Sequence, residues 1–95
     1  MKRSFSLIAM LNGLGYTVRF RNLSQPGQGF VVAGKRVVVN GTGDPELRLL
    51  ALAHETAHIL LDQFEPEGVL HSRLTVDEEF VEHGAWALIY AGATL

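Results

Sequence analysis

Two histidines and one glutamate are spaced in a way that can support metal chemistry. Residues 54–58 have the sequence His-Glu-Thr-Ala-His, so the histidines are four residues apart. On a helix, residues four apart lie on one face, and His54 and His58 could bind the same zinc ion. Glu55 would then lie beside the metal as the catalytic base for a zinc-bound water, whose pKa the metal lowers. The spacing predicts zinc-dependent hydrolysis of a peptide bond.

The alternative interpretation of these residues is structural. In it, His54 and His58 are interior histidines and Glu55 is an ordinary helix carboxylate. Both imidazoles lie on a stripe of aliphatic side chains, however, and buried polar groups need hydrogen-bond partners that such a core rarely offers. The spacing therefore favours metal binding.

The third metal ligand has to come from elsewhere in the chain. A catalytic zinc usually has three protein ligands and one open position, and the absence of cysteine leaves histidine or a carboxylate. Glu78, Glu79 and Glu82 cluster in the last predicted helix, where Glu78 and Glu82 share a face that could pack against the histidine helix. Either could be the third ligand. Glu78 could instead complete a capping box that begins at Thr75, and an acidic first turn is favoured by the helix dipole in any case.

Hydrophobic periodicity predicts an α+β, zincin-like fold to position these residues. Apolar residues recur at helical spacing from Ser4 to Leu14 and alternate with polar ones from Tyr16 to Phe20. Two β-branched runs, 30–33 and 37–39, flank Gly34, which we expect at a positive φ in an antiparallel hairpin. The first half therefore predicts an N-terminal helix and a small three-stranded antiparallel sheet.

The second half of the chain predicts two helices. Asp44, Pro45 and Glu46 are typical of an N-cap, a first-turn proline and a first-turn carboxylate. The helix that follows carries both histidines and is apolar on most sides, which predicts deep burial. After an irregular segment from Gln63 to Arg73, a last helix carries the candidate glutamates.

Composition predicts one globular domain over residues 1–95, since 47% of the residues are hydrophobic and 19% are charged. A net charge of -2 gives no general attraction to phosphate backbones, so we expect no direct nucleic-acid binding. The chain has no stretch of the roughly 18 to 20 apolar residues that cross a bilayer, and the basic start lacks a cleavage motif. We therefore expect no membrane association and a cytoplasmic protein.

The histidine segment and the last helix together resemble the ImmA/IrrE family of zinc metallopeptidases. Residues 78–89 follow the family's Glu-x-x-Ala-x-x-x-Ala-x-x-Leu-Leu pattern, with Val81 at the first alanine. Departures are Ala57, where glycine is common, Asp62, where histidine often follows, and Tyr90-Ala91 in place of a Met-Pro. The resemblance spans residues 16–90 and implies zinc as cofactor and Glu78 as the third ligand.

The resemblance also implies a function. Members of that family act in bacteria, prophages and mobile elements by cleaving a repressor that carries a helix-turn-helix, which switches genes on. A separate repressor protein is thus the expected substrate. Val37–Asn40 is the candidate edge for binding it by β-augmentation, and the alternative interpretation of those valines is sheet core. The alternative from a different class is a non-catalytic, zinc-stabilised module that binds and sequesters a regulator.

The sequence also predicts roles for four further side chains. His71 and His83 could donate a hydrogen bond to a developing oxyanion, although such histidines are usually solvated. Asp62 could orient the imidazole of His58, one helical turn away. Trp86 is expected in the core.

Overall fold

The structure is a computed structural model that describes residues 3–23, 29–32, 34–61 and 78–95, with only the backbone of residues 30–32 and 78. Three helices and five strands lie within these ranges. In chain order they are β1 Phe5–Ser6, α1 Leu7–Gly13, β2 Thr17–Arg21, β3 Gly29–Val32, β4 Arg36–Asn40, α2 Pro45–Leu60, α3 Glu78–Tyr90 and β5 Ala93–Thr94. The predicted α+β class is confirmed. None of the described helices is long and apolar enough to span a membrane.

The larger sheet has three strands in the order β2-β4-β3. β4 pairs antiparallel with β3 but parallel with β2, so the predicted all-antiparallel sheet is wrong for the β2–β4 pair. Burial explains this order, because Val37, Val38 and Val39 are all buried and β4 takes the centre. β2 carries two arginines and lies at an edge of the sheet, where charged side chains are commonly found.

The central position of β4 corrects a second prediction. All four residues of Val37–Asn40 are paired with β2, and Val37–Val39 are also paired with β3 on the other edge. This segment therefore offers no free backbone edge to a substrate strand, and the interpretation of its valines as sheet core is the correct one.

The turn between β3 and β4 confirms the predicted hairpin. Gly34 has a φ of 79° and Lys35 a φ of 55°, so both residues adopt the left-handed conformation that tight hairpin connections favour. Glycine takes this conformation without a steric penalty, which explains its position at the start of the turn.

The N-terminal helix is shorter than the sequence predicts. Phe5–Ser6 form β1, which pairs in parallel with β5, and α1 begins only at Leu7. The Ser6 hydroxyl accepts a hydrogen bond from the Ala9 N–H at 3.1 Å, so this serine is the N-cap and excludes Phe5 from the helix. The pairing with β5 brings the two ends of the described chain together.

Helix α2 begins where the sequence predicts, with Asp44 as N-cap residue and Pro45 as the first helical residue. The Asp44 side chain makes no capping hydrogen bond, but its carbonyl oxygen accepts from the Leu47 N–H at 3.1 Å. The helix contacts α1, β3, β4 and α3. Its buried aliphatic residues are Ala51, Leu52, Ala53 and Ala57, and the three small alanine side chains let the neighbouring elements approach closely.

Candidate metal centre

The two histidines of α2 face each other one helical turn apart. Their Nε2 atoms are 3.2 Å apart, and their ring centroids are 4.8 Å apart with the ring planes at 73°. His58 is buried, whereas 27% of the His54 side chain is exposed. The predicted helical stacking of the two imidazoles is confirmed, and the same ring nitrogen of each histidine faces the other.

His54, Glu55 and His58 form a group that could hold a metal ion. One ligand atom from each residue lies within 4.8 Å of the others. Two Zn–N bonds of about 2.0 to 2.1 Å at a tetrahedral angle would place the two nitrogens about 3.3 Å apart. The observed separation of 3.2 Å matches that spacing.

Glu82 of α3 determines which ring nitrogen of His54 carries the hydrogen. Its Oε2 lies 3.0 Å from His54 Nδ1, and because a carboxylate only accepts hydrogen bonds, Nδ1 carries the hydrogen. In the neutral imidazole, this leaves the Nε2 lone pair of His54 directed towards His58. A carboxylate on the outer nitrogen of a ligating histidine is a common device for orienting the ring and raising its basicity.

Trp86 holds the other oxygen of the same carboxylate. Its indole N–H donates to Glu82 Oε1 at 3.1 Å, one helical turn along α3. The prediction that Trp86 is core is wrong, because 40% of the residue is exposed. Its polar edge restrains Glu82, and its ring lies 5.9 Å from that of Tyr90 on the outside of the helix.

The side chain of Glu55, a residue of α2, lies next to Gly29, the first residue of β3. The residue is buried, with 6% of its surface exposed. A Cβ added to Gly29 would lie 3.1 Å from Glu55 Cγ and 3.1 Å from the Val38 carbonyl oxygen. The absence of a side chain at Gly29 therefore lets β3 run directly alongside the candidate catalytic carboxylate.

Helix α3 approaches α2 closely at Gly84. A Cβ at this position would lie 2.9 Å from Leu61 Cδ1 and 3.4 Å from Ala57 Cβ. Val81 and Ala85 are fully buried on the same side of the helix. The predicted packing of this face against the histidine helix is confirmed, and the close approach explains how Glu82 reaches His54.

The other predicted site residues are placed as follows. α3 begins at Glu78, one turn before Glu82, but the Glu78 side chain lies outside the described residues. His71, Asp62 and the capping threonine Thr75 also lie outside them. His83 is exposed on α3, and so is Glu79.

Sequence reasoning missed three contributors to this site. The sequence predicts Glu82 as a metal ligand or as a first-turn carboxylate. Its contact with His54 Nδ1 depends on the packing of two helices that are distant in the sequence. The i to i+4 spacing of Glu82 and Trp86 was a usable signal for their hydrogen bond. Gly29 gave no signal, because nothing in its neighbourhood indicates which residue would pack against it.

Comparisons with known proteins add no relative. No protein-family model matches the chain, and no curated protein or solved structure matches it. The resemblance to the ImmA/IrrE family therefore rests on the motifs of the sequence, and family membership stays a prediction.

Proposed function

We propose that this chain is a zinc-dependent endopeptidase that hydrolyses a peptide bond in a protein substrate. The observation that carries the proposal is the convergence of His54 and His58, with Nε2 atoms 3.2 Å apart and the Glu55 carboxylate in the same cluster. This is the arrangement that a shared metal and an adjacent catalytic base require. Bound zinc would supply the Lewis acidity that activates water and polarises the scissile carbonyl.

The metal ligands are assigned from the contacts around the two imidazoles. His54 and His58 would bind through Nε2, while Glu82 keeps His54 Nδ1 protonated. Glu82 is less suited to be a ligand itself, because its carboxylate lies at the ring nitrogen of His54 that does not face His58. We assign the third position to Glu78, which is one turn earlier on α3 and occupies the ligand position of the ImmA/IrrE pattern.

Glu55 would move the proton during hydrolysis. Its carboxylate accepts a proton from water as the water oxygen attacks the carbonyl carbon. It then gives that proton to the amine nitrogen as the C–N bond breaks. The burial of Glu55 strengthens its electrostatic interaction with a nearby cation, since the local dielectric constant is lower than that of water.

The substrate would lie along β3. This strand is at an edge of the sheet and passes Glu55 at Gly29. An extended substrate that pairs with Gly29–Val32 would bring its backbone next to the catalytic carboxylate, which replaces Val37–Asn40 as the proposed rim. The resemblance to the ImmA/IrrE family points to a helix-turn-helix repressor of a bacterium or phage as substrate, cleaved in the cytoplasm.

The experiment compares wild type with Glu55→Gln, both loaded with zinc. We expect equal metal content, measured by elemental analysis. New peptide termini, identified by mass spectrometry after incubation with a proteome-derived peptide mixture, should form about 10²- to 10⁴-fold more slowly with the variant. His58→Ala is the matched control, which should lose both the metal and the cleavage.

Equal cleavage by wild type and Glu55→Gln would contradict the proposed mechanism. Retention of one zinc per chain by both proteins, with a bound partner that stays intact in either case, would favour the zinc-stabilised binding module instead.

A further inference from the structure

Positively and negatively charged residues are unevenly distributed along the chain, although its net charge is only -2. Six of the eight Lys and Arg residues precede Asp44, whereas all ten Asp and Glu residues stand at or after it. The three-stranded sheet comes from the first of these segments, and the helices α2 and α3 come from the second. The sheet is therefore basic and the two helices are acidic.

Three arginines share the sheet face that points away from the helices. Arg19 pairs with Val38 and Thr17 pairs with Arg36, and residues paired in this way lie on the same face. Arg21 is two residues after Arg19 and joins that face. All three arginines are exposed. An open hollow of about 360 Å³ is lined by the three arginines and by Thr17, Val38 and Phe20.

On the opposite face of β2, the same edge carries an exposed apolar side chain, Phe20. Phe20 lies between Arg19 and Arg21 in the sequence and pairs with Val39, a core residue, yet 41% of Phe20 is exposed. Among the residues that the structure describes, β4 is the only strand paired with β2. A segment added to the outer edge of β2 would therefore present alternate side chains to the arginines and to Phe20.

We propose that the β2 edge binds an extended segment of a partner protein in which acidic residues alternate with apolar ones. Successive acidic side chains on such a segment would be about 6.6 Å apart, which is also the spacing of Arg19 and Arg21 along β2. Guanidinium groups bind carboxylates with two parallel hydrogen bonds, which gives this pairing specificity as well as affinity. The proposal is independent of the zinc site, because none of these arginines belongs to it.

Charge complementarity favours an acidic protein segment over nucleic acid. Three arginines would neutralise only a few phosphates, and tight binding to nucleic acid at physiological salt usually needs more such contacts. The acidic residues of α2 and α3 would also repel a long polyanion, whereas a short segment confined to the sheet avoids them.

The test uses fluorescence anisotropy with a labelled peptide of alternating Glu and Val as probe. The wild type should bind it, and the dissociation constant should rise with salt concentration. In the double variant Arg19→Gln/Arg21→Gln the dissociation constant should rise at least about tenfold. Arg3→Gln is the matched control, since Arg3 is exposed next to Gly92 and does not line the hollow, and it should bind like the wild type.

A second variant and a second probe complete the design. Phe20→Ser keeps the arginines and should weaken binding of the Glu-Val peptide while leaving its salt dependence in place. The proposal is overturned if the wild type does not bind the peptide or if the folded double variant binds it equally well. It is also overturned if a labelled oligothymidylate binds more tightly with the same dependence on Arg19 and Arg21. Oligomerisation of the double variant with unchanged peptide binding would likewise overturn it, because the arginines would then only protect the edge from self-pairing.

Discussion

At the scale of single residues, the tautomer of His54 is set by a carboxylate on another helix. Glu82 Oε2 accepts from Nδ1 at 3.0 Å, and Trp86 restrains the second oxygen at 3.1 Å. The Nε2 lone pair is thereby aimed at the point that His58 also faces. Two contacts from α3 therefore orient His54, a candidate metal ligand, and neither involves the ring nitrogen that faces His58.

Zinc affinity should depend on Glu82 as an orienting residue. Glu82→Ala removes the acceptor for His54 Nδ1, and we expect the zinc dissociation constant to rise about 10- to 100-fold. Glu82→Gln keeps an acceptor oxygen and should recover part of that loss. Competition with a chromophoric chelator measures the affinity, and the ¹⁵N chemical shifts of His54 report its tautomer.

The variant Glu78→Ala distinguishes the proposed ligand role of Glu78 from the orienting role of Glu82. A ligand contributes more to metal affinity than a residue that only orients one, so Glu78→Ala should weaken zinc binding more than Glu82→Ala and should leave the His54 tautomer unchanged. The reverse order of affinities, with an unchanged tautomer in Glu82→Ala, would identify Glu82 as the ligand.

At the scale of elements, the distance between α2 and α3 decides whether Glu82 reaches His54. Gly84→Val would push a branched side chain against Leu61 and Ala57 and should lower the free energy of unfolding by about 1 to 3 kcal/mol. It should also weaken zinc binding, because α3 carries Glu82. Gly84→Ala is the matched control, where displacement of the flexible Leu61 tip is offset by a helix propensity about 1 kcal/mol better than glycine. Urea denaturation measures both variants, and equal stability of the two would show that the helices do not need this close approach.

The connection that leads into α2 depends on one buried amide. Asn40 is 1% exposed, and its Oδ1 accepts from the Leu23 N–H, the Thr42 N–H and the Thr42 hydroxyl at 3.2, 3.0 and 2.8 Å. Asn40→Ala leaves these donors without that acceptor and should cost about 2 to 3 kcal/mol in the free energy of unfolding. Asn40→Asp keeps an acceptor and should cost less. A urea midpoint for Asn40→Ala equal to that of the wild type would contradict this role.

Local signals predicted the elements better than their pairing. The N-cap at Asp44 and the positive φ at Gly34 follow from chemistry within a few residues, and the structure confirms both. The parallel pairing of β2 with β4 does not, because it depends on which strand gains most from burial at the centre of the sheet. Helix α1 begins at Leu7, later than the sequence predicts, for a related reason, since Phe5 and Ser6 pair with β5 instead.

The candidate site was predictable to the same extent. The stacking of His54 and His58 follows from helical geometry alone. The contact between Glu82 and His54 joins residues 28 positions apart and follows only from the packing of α3 on α2. The exposure of Trp86 has the same origin, because its indole N–H is satisfied by Glu82 at the helix surface rather than in the core.

At the scale of the whole molecule, the site draws on separate parts of the fold. α2 supplies His54, Glu55 and His58, α3 supplies Glu82, and β3 passes Glu55 at Gly29. The site is therefore complete only when both helices and the sheet are packed together, and metal binding should be coupled to folding. The basic face of β2 lies on the other side of the sheet from the core that these helices form.

The central claim is that the two imidazoles share one zinc ion. Crystals grown with zinc and measured at its absorption edge test it directly, because anomalous scattering locates the metal independently of the protein. We expect one strong peak per chain within about 2.0 to 2.1 Å of Nε2 of both His54 and His58, with a carboxylate oxygen of α3 also bound. A zinc-soaked crystal with no peak between these nitrogens, or with the two rings turned away from each other, would contradict the claim.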